Sequence, residues 1–127
     1  MIIQRATADL PALLRVDAIV SVIAGLAFTV GAGPLAAVTA LPQSLLLGAG
    51  IVFLVIGAFL ALIAAPSRLQ RPGVMLVVIA SAVWVITSVG VAFADFVVPN
   101  ALGLALILLQ AAVVGCFATL EHLALRG

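Results

Sequence analysis

Four apolar stretches, each close to twenty residues and separated by short connections, decide what this 127-residue chain can fold into. They fall at approximately residues 10–32, 44–65, 73–95 and 100–124. A helix rising about 1.5 Å per residue crosses a hydrocarbon core of about 30 Å in about 20 residues, so each stretch is long enough to span a bilayer. Backbone N–H and C=O groups in hydrocarbon must find partners within the protein, which makes the spans helices. Short connections between them predict an all-α antiparallel, up-down four-transmembrane-helix bundle, with residues 1–127 as one domain.

Composition agrees. Hydrophobic residues make up 67% of the chain and charged ones only 7%, against about 25% charged in ordinary soluble domains. A water-facing surface cannot be built from that inventory. A formal net charge of +1 leaves no basic stripe for nucleic acid, and the expected surroundings are lipid. The single Cys116, inside the fourth stretch, cannot close an intrachain disulfide.

The cations are one-sided. Arg5 and Arg15 flank the start of the first stretch, Arg68 and Arg71 lie between the second and third, and Arg126 follows the fourth. The other two connections carry no cation, so the positive-inside bias places both termini and the middle connection in the cytoplasm. Lysine is absent while Ala, Val, Leu and Gly abound. That reads as the codon bias of a GC-rich bacterial genome, and hence as a bacterial inner membrane. A cleaved signal peptide ending near Val38-Thr39-Ala40 is disfavoured, because the apolar stretch from Ala18 is too long for one and Asp17 stands at its start.

Breakers divide the chain. Gly31-Ala32-Gly33-Pro34 is a stop signal for the first helix, and residues 35–42 read as a half-helix or turn along the outer interface. Pro66 to Pro72 forms a tight cationic turn, and Pro99-Asn100 opens the last helix.

Helices in lipid associate through small residues and interhelical hydrogen bonds. Asp17, Ser21, Gly25 and Thr29 form one stripe at four-residue spacing on the first helix, and Gly50, Gly57, Ala61 and Ala64 offer small residues on the second. Ser81, Trp84, Ser88 and Asp95 share a face of the third, and Gly103, Gln110, Phe117 and Glu121 one of the fourth. Gln110 lies ten residues past Asn100, about 15 Å deep, and Trp84 is equally central. An indole at that depth needs an internal acceptor, for which Gln110 is available. The resulting neutral layer serves as packing glue or as a substrate-contacting surface.

Asp17 is the sharper residue, one to two turns inside the cytoplasmic boundary. A carboxylate there points to a proton relay or a counter-ion for a cation. The plainer expectation is an ion pair at a helix end, with Arg126, Arg71 or His122 as partner, while Glu121 pairs with Arg15. One histidine at a helix end and one cysteine in lipid support neither a nucleophilic triad nor a metal site, and no dinucleotide or Walker fingerprint is present. No cofactor is expected and enzyme function is not. The residues favour a non-enzymatic structural or accessory membrane component, joined to copies of itself or to a larger complex. The alternative is a small proton-coupled transporter or channel using Asp17.

The chain resembles, along its whole length, a group of small bacterial integral membrane proteins with four helices. The resemblance rests on Asp17-Ala18 with Ser21 and Gly25, Gly31-Ala32-Gly33-Pro34-Leu35-Ala36, Leu41-Pro42, Trp84 with Ser88, Leu102-Gly103 with Gln110-Ala111, and Glu121 with Leu125-Arg126. The group favours an asparagine three residues before the tryptophan, where this chain has Ser81. It implies the four-helix architecture and carries no mechanism.

Overall fold

The structure, a computed structural model, describes residues 10–64, 71–94 and 99–126. It contains five helices over these residues: α1 (Leu10–Val30), α2 (Ala32–Thr39), α3 (Gln43–Ile63), α4 (Arg71–Ala92) and α5 (Ala101–Arg126). Four of them, all but α2, are long and apolar enough to cross a membrane. The chain is an all-helical, multi-pass membrane protein. Residues 66–70 of the expected cationic turn fall outside the described residues, as does Asp95.

The first helix ends at the stop signal, at Val30, and a new helix begins almost at once. Gly31 continues the ladder at both sides, its N–H donating to Ala27 O at 2.9 Å and its carbonyl accepting from Leu35 N at 2.9 Å. Pro34 has no N–H to offer the Val30 carbonyl, so the helix breaks there and restarts as α2. Proline is tolerated in the first turn of α2 because those N–H groups have no intrahelical partner. The segment expected as a half-helix or turn is thus a helix of 8 residues that begins three positions early. It closes on Ala40, whose φ of 58° is left-handed and whose N–H caps Ala36 O at 3.1 Å.

Two other boundaries shift for local reasons. Helix α4 starts at Arg71 and takes Pro72 into its first turn, where proline is favoured. Helix α5 starts after Asn100, whose Oδ1 accepts from Gly103 N at 2.9 Å as an N-cap. The same side chain donates through Nδ2 to Val38 O at 2.8 Å, and its backbone N–H donates to Thr39 O at 3.2 Å. Asn100 therefore ties α2 to the entry of α5.

Packing divides the bundle into two hairpins. Helix α1 lies against α3, and α4 against α5, whereas α3 touches α4 only lightly. That middle pair meets at the terminal end, Leu60 and Ile63 with Val74 and Val77, and through Phe53 and Trp84, rather than along its length. The α1–α3 contact is glycine-made: a Cβ built on Gly50 would lie 2.6 Å from Thr29 Cγ2, and one on Gly25 would lie 2.9 Å from Gly50 O. Of the small residues expected to form that face on α3, Gly50, Gly57 and Ala64 are buried but Ala61 is exposed.

The hairpins are joined at their two ends. Where α1 begins and α5 finishes (the terminal end), Leu14, Ala18, Leu60, Val74, Val77 and Ala124 make one apolar core. At the opposite, distal end, Ala32, Leu41, Leu46, Ala92 and Ile107 make a second, with α2 laid against α3 and α5. Between these two seals the hairpins stand apart. The polar side chains lie there.

Candidate functional site

The middle of the bundle holds a neutral network. Trp84 Nε1 on α4 donates to Gln110 Oε1 on α5 at 2.8 Å, the bond their matching depths suggested. Gln110 Nε2 donates to Ser88 Oγ at 3.0 Å and to Ile107 O at 2.8 Å. The amide therefore uses its acceptor and both of its donors, and that satisfaction fixes its orientation. Phe53 of α3 meets the indole edge-on at 5.1 Å between centroids, and Phe28 of α1 meets Phe53 at 5.7 Å in the same manner. Through Phe53 and Trp84 these rings link the two hairpins at this depth. Nothing in the sequence pattern singled out Phe28 or Phe53, since both read as ordinary apolar span residues.

A cavity of about 270 Å³ opens beside this network towards the distal end. Helices α3, α4 and α5 and Phe28 wall it, and Ser44, Trp84, Thr87, Ser88 and Gln110 are the polar or amphipathic groups on an otherwise apolar lining. A smaller cavity of about 80 Å³ lies on the other side of Trp84. Its wall includes Asp17 and Ser21 of α1, Phe53 of α3, and Ser81 and Trp84 of α4. Trp84 borders both spaces.

The carboxyls come next. Asp17 is only 8% exposed and accepts a hydrogen bond from Ser21 Oγ one turn along α1 at 3.3 Å. Glu121 is 0% exposed, its carboxyl beside that of Asp17, and neither of its oxygens has a hydrogen-bond donor among the described residues. The expected pairing of Glu121 with Arg15 does not form. Arg15 is two residues from Asp17, projects from another face of α1, and is exposed. His122, adjacent to Glu121, is also exposed and joins no cluster. The side chains of Arg71 and Arg126, the other partners considered for Asp17, lie outside the described residues.

Seven of the polar residues singled out in the sequence thus fall in the seam between the hairpins. Asp17, Ser21, Ser81 and Trp84 meet at the smaller cavity, Trp84, Ser88 and Gln110 at the larger, and Glu121 stands behind Asp17. Helical period alone placed Glu121 inward on α5 and Asp17 inward on α1. What it could not give was that the two inward directions converge. Among the described residues no group of three or more His, Cys, Asp or Glu could hold a metal ion. Comparison with known protein families, curated proteins and solved structures finds no match, so the chemistry is read from these residues alone.

Proposed function

We propose that the protein is a non-enzymatic, proton-coupled carrier of a small solute in a bacterial inner membrane, with both termini cytoplasmic. The observation that carries this reading is the Asp17–Glu121 pair, two carboxyls buried together with no cation beside them among the described residues. Structural glue does not need such a pair, because apolar side chains of similar volume pack without the desolvation penalty of ionisable groups. Two carboxyls packed together repel when both are ionised, so the pair serves as a place to hold and release one proton. The cavity wall that includes Asp17 supplies the coupling: whatever enters that space alters the field at the proton-binding group.

The one-sided arginines support the orientation, and the composition supports the bacterial setting. A second reading has its own observation. Only 17% of the apolar window of α4 is buried within the monomer, which suits a structural or accessory component covered by a copy of itself or by another membrane subunit.

One experiment separates these readings. Purified protein in liposomes with a lumenal pH dye is challenged in turn with organic cations, organic anions, neutral amides and sugars. The carrier reading expects at least one class to drive proton movement in the wild type and not in Asp17→Asn or Glu121→Gln. No proton movement with any class, together with unchanged assembly of both variants, leaves the accessory reading standing and removes the carrier.

A further inference from the structure

We infer that the two cavities form one binding site for a small amphiphilic organic cation, its ammonium head beside Asp17 and its apolar body in the larger space. The inference deepens the carrier reading and rests on it for the role of Asp17.

The head position is set by chemistry on three helices. The smaller cavity presents the Asp17 carboxyl, the Ser21 and Ser81 hydroxyls, and two aromatic rings, Phe53 and Trp84. A carboxyl flanked by aromatic rings attracts an alkylated ammonium twice, through its charge and through the ring quadrupoles. A strongly hydrated divalent cation takes about six to eight oxygen ligands, more than the side chains of Asp17, Ser21 and Ser81 supply. At about 80 Å³ the space suits a head group and little more.

The body position follows from adjacency. Trp84 borders both spaces, and the larger offers about 270 Å³ with a mostly apolar lining. A dry cavity of about 150 Å³ already accepts benzene, so the larger space takes a single ring with short substituents. The bond from Trp84 Nε1 to Gln110 holds the indole edge to α5 and fixes the ring that both halves of the ligand must touch.

Charge selects the sign. Helix α3 has no ionisable side chain at all, and α4 has only Arg71 at its first position. On α1 and α5, Arg15 and His122 are exposed, Arg126 is the last residue of its helix, and Asp17 and Glu121 face the seam. An anion in the smaller cavity would meet the Asp17 carboxyl and no basic group among the described residues. A cation would meet complementary charge.

The test uses the full chain in nanodiscs and its sole tryptophan, Trp84, as reporter. Benzyltrimethylammonium, its uncharged isostere neopentylbenzene, and benzenesulfonate are titrated while indole emission is followed. The expected result is saturable binding of the cation, at least about tenfold tighter than the neutral isostere, with no saturable binding of the anion. Asp17→Asn is expected to weaken the cation about tenfold. Ser81→Leu, which fills the smaller cavity and leaves both carboxyls, is expected to abolish binding. Equal affinity for cation and isostere in the wild type overturns the site even if neither variant folds, and so does unchanged affinity in folded variants. Cation binding without proton movement in liposomes overturns the carrier and leaves the site. Proton movement driven only by sugars, amides or anions overturns the site and leaves the carrier.

Discussion

Replacing Gly50 by alanine, with Gly48→Ala as its control, measures what holds the first hairpin closed. Both glycines sit on α3, two residues apart, so the gain in helix propensity of about 0.5–1 kcal/mol is common to both and cancels in the difference. Their surroundings differ completely. A Cβ on Gly48 meets nothing within 4 Å, whereas one on Gly50 lies 2.6 Å from Thr29 Cγ2, 2.8 Å from Thr29 N and 2.9 Å from Gly25 O. Carbon atoms rest about 3.5 Å apart or more, so α1 and α3 must separate by upwards of roughly half an ångström. Thr29 cannot turn aside cheaply, because its Oγ1 donates to Gly25 O at 2.8 Å. Overpacking of this kind costs about 1–3 kcal/mol, and with propensity cancelled the whole of it appears as the difference between the two variants. Reversible unfolding in mixed detergent micelles reads that difference. Variants that agree to within about 0.5 kcal/mol, the usual scatter of independent sites, would refute the claim that backbone proximity at Gly25 and Gly50 closes the hairpin.

Gln110→Leu removes the bonds to Trp84 and Ser88. A Trp84→Phe/Gln110→Leu double-mutant cycle should return a coupling of about 0.6 kcal/mol, typical of interhelical bonds in lipid, and the single variant should shift indole emission to shorter wavelength. Asn100→Ala should cost about 1 kcal/mol or more through the lost N-cap, with hydrogen exchange accelerated at Gly103 and no change at the middle of α5. Ala40→Gly should stabilise by about 1 kcal/mol, because the left-handed φ of 58° is free of Cβ strain only for glycine; an unchanged or lowered unfolding midpoint contradicts that conformation. Glu121→Met should preserve or raise stability while abolishing proton movement, since it replaces a buried carboxyl by an apolar side chain of similar length. A loss of assembly in Glu121→Met would assign the carboxyl a structural role instead.

Much of the fold was legible because membranes impose simple rules. Length and hydropathy fix the spans, and the depth of Trp84 and Gln110 follows from counting along a helix of known rise. Their bond was therefore within reach of the sequence. The Asp17, Ser21, Gly25 stripe likewise declared its buried face, because a carboxyl and a glycine series at four-residue spacing are costly to leave against lipid. The stop at Gly31–Pro34 was legible, but a proline signals a missing hydrogen bond and not what the chain does after it, so the immediate restart as α2 was not. The Glu121–Arg15 pair was expected from proximity to one end of the bundle, and it fails because Arg15 sits on the outer face of α1.

By itself, then, the sequence determined four spans, the one-sided cations, and most of the inward faces, all of which depend on periodicity and counting along a single element. Only the tertiary structure decided which inward faces meet. Interhelical geometry is set by how closely backbones approach, and glycine contacts let α1 and α3 close while α3 and α4 stay apart. That difference opens the seam between two sealed ends, brings Asp17 and Glu121 together, and leaves room beside Trp84 for something else to bind.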